Sequence, residues 1–347
     1  MLTVKNKVII YAQDSFGGEN AKTGIGFISY GLCETVAVVD RKLAGQTVKN
    51  VIGYLNPIPI FKSVEEAKNS FPQADVLLIG IAPSGGRFPP DWLDDIKRAI
   101  DLKLNIVNGL HDFLCNIPEV KSLSEKNKVY IWDVRKPRND YPIANARLLD
   151  YPMEIVLMVG TDAAIGKMTV ALELDKLATK LGKKSKFIAT GQTGMMISGS
   201  GIPIDAIVGD FMAGAIEEEL IKAANENVDI SFVEGQGSIL HPGWSGVTLA
   251  LLHGSLPHKL ILCHKIGRKY LKNTKIPIES INKVISIYEN MTLSVRAAKV
   301  VGIALNAFGY SNDEASLEIK KIESETGLSV DDVIKFGGEK LLKACLR

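Results

Sequence analysis

The sequence predicts an α/β protein built from mainly parallel sheets flanked by helices. Short β-branched runs alternate with amphipathic helical segments along the whole chain, and this order is typical of βαβ units. A length of 347 residues favours two domains. The polar, proline-bearing segment 135–152 lacks any periodicity and predicts a linker. We therefore expect one domain over 1–140 and a second over 141–347.

The first domain is predicted to be Rossmann-like. Helices are expected over 63–71 and 90–102. The apolar runs that predict its strands are 7–12, 34–40, 74–82, 104–109 and 129–134. Residues 82–87 and His111 each follow one of these strands, where such a domain presents a ligand site.

The second domain is predicted to have the order of a P-loop NTPase. A helix is expected over 169–182, and two more helices surround a short strand in the tail. Its predicted strands are 154–160, 184–191, 205–210, 229–237, 258–265 and 299–309.

Composition excludes several classes of partner. With 41 basic and 39 acidic residues, the net charge of +2 gives no electrostatic case for nucleic acid. No apolar stretch reaches the ~18 residues of a membrane span, and the N-terminus lacks a secretion signal. The four cysteines share no CxxC spacing, as expected for reduced thiols. We expect a cytoplasmic enzyme that acts on a small molecule, and the base rate for such enzymes favours a homo-oligomer.

The stretch VGTDAAIGKMT, residues 159–169, follows a strand and opens a helix, as a phosphate-binding loop does. Lys167 at the helix start is suited to an anion held by the loop amides. The residues expected to hold the cofactor phosphates are Gly160, Thr161, Asp162, Ala163, Ala164, Ile165, Gly166, Lys167, Met168 and Thr169.

The loop departs from the GxxxxGK[ST] pattern at two points. Its glycines are one residue further apart, and Met168 stands where a hydroxyl is expected to bind Mg²⁺. A thioether is a poor Mg²⁺ ligand, because the ion is hard and sulfur is soft. Either Thr169 supplies the hydroxyl or metal-dependent phosphoryl transfer is not the reaction.

Other predicted strand ends point to the same edge of the sheet. Asp210 and Glu234 are candidate Mg²⁺ ligands, since carboxylate oxygens suit a hard cation. His111 and His241 are candidate bases, and Lys167 is a third candidate catalytic residue. The candidate substrate-binding residues, in ATGQTG and VEGQG, are Gln192, Thr193, Gly194, Gly235 and Gln236.

This set of motifs resembles the dethiobiotin synthetase branch of P-loop enzymes. In that branch the loop reads GTD, three further residues and GKT, so the glycine spacing here is normal, and VEGQG stands in the position of its VEGAGG. The resemblance implies that Asn306, in LNAFG, recognises an adenine base. Met168 departs from the threonine of that pattern.

A resemblance to the D-glutamate N-acetyltransferase-like family covers nearly the whole chain. AVVDRKLAG, IGIAPSGGRFPPDW, NGLHDFL, WDVRKP and GTDAAIGKMT carry it, and the GKMT variant is shared with that family. It implies transfer of an acetyl group from acetyl-CoA to the amine of D-glutamate.

Three classes of function therefore stay open. The first is acyl transfer from acetyl-CoA, which needs no metal. The second is an ATP- and Mg²⁺-dependent ligase or kinase of the dethiobiotin synthetase type, and the third is a nucleotide-binding module without chemistry. Dependence on Mg²⁺ distinguishes the first two.

Overall fold

The computed structural model describes residues 2–81, 86–292 and 294–347, and it confirms the α/β class. The chain divides into two compact units. Unit 1 contains Met1–Pro137 and Gln192–Pro203, and unit 2 contains Arg138–Gly191 and Ile204–Arg347. Within the described ranges, no helix is both long and apolar enough to cross a bilayer.

Unit 1 is built on a six-stranded parallel sheet with the Rossmann order β3-β2-β1-β4-β5-β6. The strands are β1 (Lys7–Tyr11), β2 (Glu34–Val39), β3 (Ile60–Phe61), β4 (Val76–Ile79), β5 (Asn105–Asn108) and β6 (Ile131–Asp133). The helices between them are α1 (Lys22–Tyr30), α2 (Val48–Val51), α3 (Val64–Ser70), α4 (Leu93–Asp101) and α5 (Pro118–Asn127). The central strand β1 is almost fully buried, as expected for a sheet covered on both faces.

The second half of the chain contributes a six-stranded parallel sheet in the order β12-β11-β10-β7-β9-β8. Its strands are β7 (Glu154–Gly160), β8 (Ser185–Ile188), β9 (Ile230–Val233), β10 (Lys259–Lys265), β11 (Lys299–Asn306) and β12 (Ser329–Asp331). The helices in this half of the chain are α6 (Lys167–Lys180), α7 (Gln192–Ser198), α8 (Gly209–Asn225), α9 (Ser245–Ser255), α10 (Ile281–Thr292), α11 (Asn312–Thr326) and α12 (Glu339–Leu346), and all but α7 belong to unit 2. The chain leaves β7 towards β8 on one side of the sheet and later returns to β10 on the other. The carboxyl end of β7 therefore lies at the point of the sheet where ligands bind in open α/β folds.

Two expectations are corrected by the structure. Residues 192–203, which a boundary at 140 assigns to the second domain, belong to unit 1, where α7 packs against α1. The strand expected over 205–210 is not formed: Ile204–Ala206 is one turn of 3₁₀ helix and α8 begins at Gly209. A short apolar run does not by itself distinguish a strand from the approach to a helix.

Candidate functional site

The phosphate loop lies between the buried end of β7 and the first turn of α6. Gly166 is the residue before the helix, and its φ of 107° is a left-handed conformation that favours glycine. Ala164 also has a positive φ, of 53°. The loop therefore turns sharply into a 14-residue helix, whose N-terminal amides and dipole favour an anion.

Lys167 is the central cation of the loop. Its Nζ donates hydrogen bonds to the carbonyl oxygens of Asp162, at 2.8 Å, and Gly237, at 2.7 Å. The side chain is 6% exposed, and burial lowers the pKa of its ammonium group to about 8. An anionic ligand would stabilise the charged form that this environment disfavours.

Glu234 follows β9 and is 5% exposed. Its Oε2 accepts hydrogen bonds from the amides of Thr190, at 2.9 Å, and Gly191, at 3.1 Å. Burial raises the pKa of the carboxyl group to about 7, although these two amides oppose the shift. Glu234 therefore joins the loop after β9 to the chain after β8.

The loop after Glu234 lies tightly against the phosphate loop. A Cβ atom at Gly235 would lie 1.6 Å from the carbonyl oxygen of Met158, so only glycine fits there. The hydroxyl of the fully buried Tyr288 donates to the carbonyl oxygen of Gly160, at 2.8 Å, and accepts from the amide of Ile239, at 3.1 Å. These contacts hold the two loops in one arrangement.

Asp162 ties the phosphate loop to the segment after β10. Its carboxylate is fully buried, and Oδ2 accepts from the guanidinium of Arg268, at 3.0 Å, and from the amide of Lys272, at 2.9 Å. Its Oδ1 has no hydrogen-bond partner among the described residues. Beside it, Thr161 Oγ1 and His264 Nδ1 lie 3.0 Å apart.

Asn306 braces the same loop from the end of β11. Its side-chain amide donates to the carbonyl oxygen of Ile165, at 3.0 Å, and its Oδ1 accepts from the amide of Phe308, at 3.1 Å. Both ends of the Asn306 side chain therefore bond to backbone in this structure. Recognition of adenine by Asn306 stays a prediction.

The two candidate histidines differ in their surroundings. His241 is buried, its Nε2 lies 2.9 Å from the carbonyl oxygen of Lys272, and its Nδ1 accepts from the amide of Gly243 at 3.1 Å. Both ring nitrogens are therefore occupied by backbone, which argues against His241 as a base. His111 is exposed after β5 in unit 1, and its amide donates to the carbonyl oxygen of Gly86. Residues 82–85 lie outside the described ranges.

Two of the residues expected to bind a metal, Thr169 and Asp210, lie in the first turns of helices. Helix α6 begins at Lys167, so Thr169 lies about 200° around the helix from Lys167 and about 100° from Met168. Thr169 thus does not take the place of residue 168, and its role as a ligand stays a prediction. Asp210 is exposed in the first turn of α8 rather than at a strand end. In the described part of the chain, no group of three or more His, Cys, Asp and Glu side chains could hold a metal ion.

The expected substrate residues fall into two sets. Gln192, Thr193 and Gly194 open α7 in unit 1, where Thr193 Oγ1 lies 3.0 Å from Thr23 Oγ1. Gly235 and Gln236 follow Glu234 in unit 2, and Gln236 Nε2 donates to Thr190 Oγ1 at 3.3 Å.

Sequence reasoning missed two supports of the loop. Tyr288 looks like an ordinary core aromatic of an amphipathic helix, and no local signal indicates its contact with Gly160. The second is the pairing of Asp162 with Arg268. The basic segment 265–275 contains no acidic residue, which indicates that a carboxylate partner comes from elsewhere in the chain.

Comparison with known proteins matches both halves of the chain to one family. Residues 142–342 match the C-terminal P-loop domain of the DUF1611 family, and residues 41–137 match its N-terminal Rossmann-like domain; both are described as domains of unknown function. A crystal structure of a DUF1611 family protein from Anabaena variabilis is 40% identical, with a TM-score of 0.93 over 98% of this chain and 99% of that one.

Two curated relatives carry a functional name. A D-glutamate N-acetyltransferase of Tritonibacter scottomollicae is 36% identical over 81% of this chain and 84% of its own length. Another D-glutamate N-acetyltransferase, of a Pseudoalteromonas species, is 35% identical over 78% of this chain and 80% of its own length. The resemblance expected from GTDAAIGKMT and the N-terminal motifs is thus confirmed.

Proposed function

We propose, from the premise that this chain belongs to the DUF1611 family, that it transfers an acetyl group from acetyl-CoA to the amine of D-glutamate. The observation that carries the proposal is the similarity, over about four-fifths of the chain, to two proteins named D-glutamate N-acetyltransferase. Met168 in the phosphate loop supports it, since a loop that only holds phosphate needs no metal-binding hydroxyl there.

The phosphate loop would hold the 5′-diphosphate of coenzyme A. The amides at the start of α6 and the ammonium group of Lys167 suit two linked phosphates. In the structure Lys167 Nζ bonds to two neutral carbonyl oxygens, and exchanging them for phosphate oxygens would give it charged hydrogen-bond acceptors. The residues present therefore fit a diphosphate without a hydrolytic role.

The base would act at the thioester of acetyl-CoA and not at its diphosphate. The amine of D-glutamate attacks the acetyl carbonyl carbon, the new C–N bond forms, the C–S bond breaks, and coenzyme A leaves as the thiol. The substrate ammonium group gives up two protons: one passes to a base before the attack, and the other passes to the sulfur as the C–S bond breaks. The long pantetheine arm separates the thioester from the diphosphate, so Lys167 and Glu234 belong to binding rather than to proton transfer.

Of the two histidines that the sequence offers as a base, we assign the role to His111, since both ring nitrogens of His241 are bonded to backbone. Replacing His111 by Asn should lower kcat by roughly a hundredfold or more and leave KM for acetyl-CoA nearly unchanged. A variant that keeps the wild-type kcat would contradict this assignment.

A product assay tests the function. Purified protein is incubated with D-glutamate, acetyl-CoA and EDTA; thiol release is followed and N-acetylglutamate is identified by mass spectrometry, with L-glutamate in parallel. We expect product from D-glutamate without ATP or metal. Product formation only with ATP and Mg²⁺ would contradict the proposal and favour the ligase.

A further inference from the structure

A strongly basic segment flanks the phosphate loop. Residues 265–275, which we name the cationic lobe, contain Lys265, Arg268, Lys269, Lys272 and Lys275 and no acidic residue. The whole chain has nearly equal numbers of basic and acidic residues. This concentration of one sign is therefore a local feature rather than a consequence of composition.

The lobe is a structured element anchored to the loop. The amide of Leu271 donates to the carbonyl oxygen of Ile276, and that of Ile278 donates to the carbonyl oxygen of Lys269, both at 2.9 Å, which makes a short hairpin. The buried carboxylate of Asp162 binds both Arg268 and the amide of Lys272. The cationic lobe therefore lies next to the phosphate loop and to any ligand that this loop binds.

Residues 265–274 of the lobe line an open surface cavity of about 500 Å³. Lys265, Arg268 and Lys272 are half-buried along it. Over the described ranges, Asp162 is the single carboxylate paired with the lobe, through Arg268, and the ammonium groups of Lys265, Lys269 and Lys272 form no ion pair. Like charges held around a cavity repel one another, so the arrangement favours a multiply charged anion.

The cavity lies beside the phosphate loop, and this position favours the 3′-phosphate of coenzyme A over the carboxylates of D-glutamate. Coenzyme A carries its 5′-diphosphate and its 3′-phosphate on one ribose, so the two groups must bind side by side. The carboxylates of D-glutamate lie instead at the thioester end of the bound pair. We propose that the lobe cations that line the cavity, Lys265, Arg268, Lys269 and Lys272, bind the ribose 3′-phosphate of coenzyme A, an inference that rests on the proposed function.

The test compares acetyl-CoA with its 3′-dephospho analogue. Calorimetric affinities and KM values are measured for the wild type, for the double variant Lys269→Ala/Lys272→Ala and for Lys275→Ala. The amide of residue 272 that binds Asp162 is retained in the double variant. Lys275 is a matched control, since it belongs to the lobe but does not line the cavity.

We expect the wild type and Lys275→Ala to bind acetyl-CoA at least about tenfold more tightly than the dephospho analogue, as charge-assisted bonds to a phosphate imply. The double variant should lose most of this preference and keep KM for D-glutamate. Equal wild-type affinity for the two donors would overturn the inference. So would a double variant that raises only KM for D-glutamate, because the lobe would then hold the substrate carboxylates.

The two proposals fail in distinguishable ways. If the wild type makes N-acetylglutamate equally well from both donors, the proposed function is supported and the 3′-phosphate site is contradicted. If the wild type prefers coenzyme A to dephospho-coenzyme A but transfers no acetyl group, the 3′-phosphate site is supported and the proposed reaction is contradicted.

Discussion

At the scale of single residues, the site contains two buried ionisable groups, Lys167 in the phosphate loop and Glu234 after β9. Burial moves the pKa of Lys167 down to about 8 and that of Glu234 up to about 7. Each shift favours the neutral form, so both groups resist carrying charge in the ligand-free protein. Their titration gives two separate tests of the site.

The first test concerns Lys167 and acetyl-CoA binding. A phosphate partner favours the ammonium form, so the bound protein must retain a proton that the free protein loses near pH 8. Above pH 8 the affinity should therefore fall by about tenfold per pH unit. Calorimetric titration from pH 8 to pH 10 measures this slope.

Lys167→Arg is the matched variant, because a guanidinium group stays charged throughout that range. Its affinity should stay flat from pH 8 to pH 10, whatever its absolute value. The same slope in both proteins would show that another group titrates.

The second test concerns Glu234 and stability. Its folded-state pKa of about 7 lies above the ordinary value of 4.5, so the folded protein binds the proton more tightly than the unfolded chain does. The contribution to stability is therefore present below pH 4.5 and is lost as the pH rises through 7. Two and a half pKa units correspond to roughly 3 kcal/mol.

Glu234→Gln keeps an oxygen that can accept from the amides of Thr190 and Gly191 but does not titrate. Relative to this variant, the wild type should lose roughly 2.5 kcal/mol of unfolding free energy between pH 5 and pH 8. Chemical denaturation of both proteins at several pH values checks it. Parallel pH dependences would mean that Glu234 keeps an ordinary pKa.

At the scale of elements, the pairing of α8 with α9 places the helix that follows the Glu234 loop. A Cβ atom at Gly254 would lie 2.3 Å from the carbonyl oxygen of Ala213 and 2.4 Å from Ile216 Cγ2, both in α8. Gly246, in the same helix α9, has open space where a Cβ would be.

The two glycines therefore predict opposite effects of alanine. Gly254→Ala should lower the free energy of unfolding by about 1–3 kcal/mol, since α8 must move away. Gly246→Ala should raise it by about 0.5–1 kcal/mol, because alanine loses less backbone entropy in a helix. Denaturation curves of the two variants measure the difference, and a loss of similar size at both positions would contradict the packing described here.

The sequence predicts the elements that have a long apolar run or a clear apolar stripe, and it does not predict elements that lack such a pattern. The apolar runs of β7 and β10 and the stripe of α6 indicate their structures directly. β3 has only two residues, and its pairing with β2 rather than its own sequence defines it. The apolar run before Asp210 predicts a strand that ends there, but α8 begins at Gly209.

At the scale of the whole molecule, the two parallel sheets were predictable and their strand orders were not. The alternation of strands and helices indicates parallel sheets, but it does not say which strands become neighbours. For the same reason the sequence does not indicate that residues 192–203 join unit 1. The phosphate loop was predicted because its residues are contiguous, whereas the contact of Asp162 with Lys272 spans 110 positions.

The central claim, that the phosphate loop serves acetyl-CoA rather than Mg·ATP, is tested most directly by isothermal titration of the purified protein with each ligand, with Mg²⁺ and with EDTA. We expect acetyl-CoA to bind equally well in both conditions and to lose most of its affinity in Lys167→Ala. Binding of ATP that disappears with EDTA, together with no binding of acetyl-CoA, would contradict the claim.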